Sequence, residues 1–124
     1  MSGCDIRALA VSAREASRAL AQAGSTQKNA ALRAMAAGLI AETERILAAN
    51  AADVAAARTA GETPAFVDRL TLTAARIEAM ARGVGQVADL PDPVGELTGM
   101  WRRPNGLQVG RMRVPLGVIG IIYE

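Results

Sequence analysis

The sequence predicts a mainly α-helical chain that closes with a β-hairpin and one further strand. Three observations carry that prediction. Alanine, the strongest helix former, supplies 27 of the 124 residues. Up to Leu90, apolar residues recur at steps of three and four, the spacing of one helix face. Beyond it, prolines enter at 91, 93, 104 and 115, and short runs rich in strand formers replace the helical period.

The first helix is expected from Asp5 to Ala23. Ile6, Leu9, Ala13, Ala16 and Leu20 form its apolar stripe, and Gly24 ends it as the residue after the cap. A second helix starts at Ser25 or Thr26, either of which can cap free backbone N–H groups. Its stripe is Leu32, Met35, Ala36, Leu39, Ile40, Ile46 and Leu47, and Asn50 breaks it. A third helix runs from Ala51 to Ala60 and stops at Gly61. Thr63 with Pro64 opens a short helical turn, because a proline at the first helical position loses no hydrogen bond. Thr73 caps the last helix, with Leu72 and Ile77 at the spacing of a hydrophobic staple. Ile77, Met80, Ala81, Val84 and Val87 carry its stripe to about Ala88, before Pro91 and Pro93 end all helix. All of these stripes are read as core.

Leu97 to Arg103 and Leu107 to Val114 flank Pro104-Asn105-Gly106, which predicts a hairpin with a tight Asn-Gly turn. Val118-Ile119-Gly120-Ile121-Ile122-Tyr123 is almost continuously apolar, as in a strand covered on both faces. The chain stops one residue later, at Glu124, so this strand reads as the start of an unfinished sheet and the chain as a fragment. The expected organisation is a helical region over 1–94, a hairpin over 95–114 and the first strand of a further domain over 115–124.

Composition closes several routes. Hydrophobic residues make up 51% and the net charge is only +2, which favours a packed chain over a disordered one. There is no histidine, and Cys4 is the single cysteine. A Ser–His or Cys–His nucleophile pair, a Cys/His zinc site and an internal disulfide are therefore excluded within this chain. No apolar run is long enough to span a membrane, and the start lacks the basic and apolar blocks of a secretory signal. A cytoplasmic location is the expectation. Cys4 reads as an incidental terminal thiol.

Gly83-Val84-Gly85-Gln86-Val87-Ala88 has the spacing of a dinucleotide fingerprint. It lacks the preceding strand and the helix opening at the glycines, so it is rejected, and its glycines are expected to loosen or end a helix. Arg102, Arg103, Arg111 and Arg113 gather in the hairpin, giving residues 97–124 a charge of +3 against −1 for residues 1–96. A charged sheet edge or a subunit contact explains them better than nucleic acid, because stacking aromatics are almost absent. Trp101 reads as a packing or interface residue.

The run Arg113-Val114-Pro115-Leu116-Gly117-Val118-Ile119-Gly120-Ile121-Ile122-Tyr123-Glu124 resembles the segment that enters the cofactor domain of gamma-glutamyl phosphate reductase. That family, also called glutamate-5-semialdehyde dehydrogenase, falls in the aldehyde dehydrogenase superfamily. Further similarities lie in order at Ile46-Leu47-Ala48-Ala49-Asn50, Asp53-Val54, Asp68-Arg69-Leu70-Thr71-Leu72-Thr73 and Leu90-Pro91-Asp92-Pro93-Val94-Gly95. They span nearly the whole chain.

The resemblance implies an α/β full enzyme with a Rossmann-like cofactor domain, of which this chain is an amino-terminal fragment. It implies NADPH-dependent reduction of L-glutamate 5-phosphate to L-glutamate 5-semialdehyde, with release of phosphate, in proline biosynthesis. A cysteine thiolate forms a thioester with the substrate and hydride then releases the aldehyde. That cysteine is expected downstream of these residues, so the chain holds no catalytic residue and no metal ligand. Ile122, Tyr123 and Glu124 match the strand end that approaches NADP and are the expected cofactor-side residues. The hairpin matches the bridging sheet that joins subunits into a homo-oligomer, and glutamate 5-kinase is an expected partner. Two other readings stand beside this one: a small helical module dimerising through its hairpin, and a basic ribbon on nucleic acid.

Overall fold

In the computed structural model, which describes residues 5–122, the element order is α1 (Ile6–Gln22), α2 (Ser25–Ala41), α3 (Thr43–Thr59), α4 (Pro64–Leu70), α5 (Ala74–Asp89), β1 (Leu97–Arg102) and β2 (Gln108–Met112). Contacts divide the chain into two units, one of residues 26–90 and one of residues 1–25 with 91–124.

The first unit is built on α3. Asn50, Val54 and Ala57 recur on one face of that helix and are buried. They meet α4 and α5, and α5 contributes the buried Ile77, Ala81 and Ala88. Alanines at these positions let helix backbones approach closely, and among the described residues Ile77 is the one large side chain that is fully enclosed. Its burial stabilises the unit by about 1.5–3 kcal/mol.

Local capping follows the sequence closely here. The Thr63 hydroxyl accepts from the Phe66 N–H at 3.2 Å, with Pro64 at the first helical position. Thr73 Oγ1 accepts from the Arg76 N–H at 3.2 Å, placing Ile77 in the second turn and out of solvent. Arg76 also closes the end of α4. Its guanidinium donates to the carbonyl of Asp68 at 2.6 Å and to that of Thr71, and lies 3.4 Å from Asp68 Oδ2. Carbonyls at a helix C-terminus lack partners inside the helix, and the arginine supplies them.

Two helix boundaries differ from expectation. Asn50 does not break a helix: it lies mid-way along α3, where its amide meets backbone groups of residues 70 and 72. The break falls at Glu42 instead. Thr43 Oγ1 sits 3.2 Å from the Leu39 carbonyl and 2.8 Å from that of Ile40, and a hydroxyl placed on the preceding turn bends a helix. Likewise Gly83 and Gly85 neither loosen nor end α5, which runs through both to Asp89. The α2 stripe is only partly covered: Leu32, Ala36 and Leu39 are half-buried, whereas Met35 and Ile40 are exposed.

In the second unit Asp5 caps α1, its Oδ1 accepting from Arg7 N–H at 3.0 Å and Ala8 N–H at 3.2 Å. The chain leaves α1 through Ala23 in extended geometry, with Gly24 as the expected residue after the cap, at a φ that is not positive. The α1 stripe is not core: Ile6, Leu9 and Leu20 are all exposed, and no residue of the helix is buried. Periodicity records which face is apolar; it does not supply the surface that covers it.

After Pro91 the chain turns twice before the hairpin. Asp92 Oδ1 accepts from Val94 N–H, and the Glu96 N–H donates to the Pro93 carbonyl at 3.2 Å with Gly95 at φ 87°. Strands β1 and β2 then pair antiparallel, with Trp101 opposite Val109 and Met100 opposite Gly110. A bulge separates Leu97 from Gly99.

Candidate functional site

The expected cofactor-side residues lie at the end of the chain, of which the structure describes residues up to 122. Tyr123 and Glu124 lie outside the described residues, as does Cys4. Ile122 is 91% exposed. Residues 113–122 carry no regular secondary structure, so the expected third strand over 115–124 does not form among the described residues. The physical reason is direct. A strand exists by pairing its N–H and C=O groups with a neighbour, and the one sheet described contains only β1 and β2. Gly117 turns the segment at φ 89°, and Leu116, Val118, Ile119 and Ile121 are exposed beside it. Ile122 offers apolar contact but no side-chain donor or acceptor, so by itself it cannot orient a dinucleotide.

The hairpin gathers the charged and aromatic groups that the sequence singles out. Its turn is not the two-residue Asn-Gly type. Gly106 N–H donates to the Arg103 carbonyl at 2.9 Å, Arg103 N–H donates to Leu107 O at 2.8 Å, and only Gly106 has positive φ, at 87°. That is a type I turn through Pro104 and Asn105 followed by a left-handed glycine. Proline dictates it, because its φ is fixed negative at the first central position. Asn105 contributes through its side chain, whose Oδ1 accepts from Leu107 N–H at 3.1 Å.

The pairing places Trp101 and Arg111 on one face, and the Arg111 guanidinium lies 5.9 Å from the indole centroid. Contacts of this kind contribute about 0.5–1 kcal/mol at exposed sites. On the opposite face Met100 crosses Gly110: a Cβ added there would stand 3.1 Å from Met100 Cγ and 3.2 Å from the Gly99 carbonyl oxygen. Arg113 is held at the base of the hairpin, its Nε 3.2 Å from Glu96 Oε2 and its N–H donating to Glu96 O at 3.0 Å. Arg102, Arg103 and Arg111 are exposed. The ribbon is therefore basic, with apolar and charged side chains on both faces, and among the described residues no third strand pairs with it.

The helical unit carries clefts but no reactive constellation. One, of about 550 Å³, is lined by Arg58, Glu62, Pro64, Val67, Asp68 and Thr71. Its hydroxyl is engaged, since Thr71 Oγ1 donates to the Val67 carbonyl at 2.7 Å. Among the described residues no group of three or more Cys, Asp or Glu is placed to hold a metal ion. The residues that sequence reading missed are Asn50 and Arg76, and both act on backbone. Asn50 was detectable as a polar residue at core spacing from Val54 and Ala57; nothing in the sequence marks Arg76.

No family profile matches this chain. Individual relatives do. It is 61% identical over 112 residues to a gamma-glutamyl phosphate reductase of Moorella thermoacetica, covering 90% of this chain and 27% of that protein. A gamma-glutamyl phosphate reductase of Rhodopseudomonas palustris (strain BisB18) is 56% identical over 117 residues, covering 94% of this chain and 27% of its own length. The crystal structure of gamma-glutamyl phosphate reductase from Thermotoga maritima superposes with a TM-score of 0.82 at 40% identity, over 86% of this chain and 26% of that one. The chain thus spans about 27% of the length of the curated relatives it matches.

Proposed function

We propose, from this homology to gamma-glutamyl phosphate reductase, that the chain forms the helical region, bridging hairpin and cofactor-domain entry of such an enzyme. The reaction is NADPH-dependent reduction of L-glutamate 5-phosphate to L-glutamate 5-semialdehyde and phosphate, in proline biosynthesis. The observation that carries this reading is 61% identity sustained over 112 residues, together with a shared fold at TM-score 0.82. An apolar entry segment ending in Ile122, Tyr123 and Glu124 agrees with a cofactor-side role. In this reading the nucleophile is a cysteine outside these 124 residues, and Cys4 is an incidental thiol.

The open, basic hairpin with its exposed Trp101 and Arg111 fits a contact between subunits of a homo-oligomer. Glutamate 5-kinase, as the source of an acyl phosphate, belongs to the same reading, as does a cytoplasmic location. No helix among the described residues is long and apolar enough to cross a membrane.

Two measurements test the proposal. The open reading frame that contains this sequence, extended past codon 124, should restore growth without proline to a bacterial strain lacking the reductase. The 124-residue chain should not, and should form no NADPH from glutamate 5-semialdehyde, phosphate and NADP. Cys4→Ser should leave the activity of the extended protein unchanged. Loss of that activity with Cys4→Ser, or turnover by the short chain alone, would overturn the assignment of the nucleophile. Failure of the extended frame to complement would overturn the function.

A further inference from the structure

We draw no further inference here: the strongest candidate, the uncovered apolar stripe of α1 formed by Ile6, Leu9 and Leu20 beside Arg7, Arg14 and Arg18, carries nothing because nothing in the structure shows what covers it.

Discussion

Asn50 reads the backbone on both sides of Thr71: its Nδ2 donates to the Leu70 carbonyl at 2.9 Å, and its Oδ1 accepts from the Leu72 N–H at 2.7 Å. One amide side chain thereby fixes the passage from α4 to α5 against α3. Asparagine is a weak helix former, and its place inside α3 is offset by these two bonds.

Asn50→Ala should therefore destabilise the chain by about 2 kcal/mol or more, since it strands two partly buried backbone groups. Asn50→Asp keeps the acceptor for Leu72 but sets an oxygen against the Leu70 carbonyl, so it should not restore stability. Urea unfolding followed by circular dichroism measures both. Wild-type midpoints for either variant would show that the bridge contributes nothing.

Ile77 and Met80 belong to the same sequence stripe but not to the same environment. Ile77 is fully enclosed, while Met80 is 41% exposed. Ile77→Ala should cost about 2–5 kcal/mol, through lost burial and the cavity left behind. Met80→Ala should stay within about 0.5 kcal/mol of wild type. Equal effects in thermal melts would refute the burial assigned to α5.

Gly106 is the left-handed position of the hairpin turn, at φ 87°. Gly106→Ala should lower stability of the hairpin by about 1–2 kcal/mol, because a Cβ crowds the following carbonyl there. Gly106→Asn should cost less, since asparagine tolerates that conformation. Backbone amide shifts of Trp101 and Val109 report hairpin population directly; unchanged shifts in Gly106→Ala would contradict the turn.

The segment 115–122 exposes Leu116, Val118, Ile119, Ile121 and Ile122 with no ladder partner among the described residues. Apolar, uncharged segments with unpaired backbone groups associate edge to edge. The purified 124-residue chain should show strong helical signal and should self-associate. Deleting residues 115–124, or introducing Ile121→Lys, should reduce that association. Sedimentation velocity distinguishes the outcomes: a monomer unaffected by the deletion would remove this segment as the adhesive element.

What was legible in the sequence was local. Thr63 and Thr73 act as helix caps because the side-chain oxygen and the N–H group from which it accepts are only three residues apart. The hairpin was legible for the same reason, although Pro104 rather than the Asn-Gly pair chose its turn. The break at Glu42 was not, because nothing in composition distinguishes Thr43 bonding back to Leu39 and Ile40 from a threonine facing solvent. The expectation of a cofactor-side role rests on resemblance alone: Ile122 carries no chemistry that would single it out.

The sequence by itself determined that residues up to about 90 are mainly helical, where α4 and α5 begin, the apolar stripes of α1, α2 and α5, and the basic hairpin, all set by interactions within a few residues. Tertiary structure alone decided which apolar faces become core. Periodicity gave α1 and α5 equally clear stripes, yet Ile77, Ala81 and Ala88 are buried while Ile6, Leu9 and Leu20 face solvent. Burial is a relation between two surfaces distant in sequence, so a stripe specifies a demand for cover and only packing supplies it. The same holds for residues 118–122: β-propensity makes them ready to be a strand, and a strand forms only where a neighbour offers its backbone.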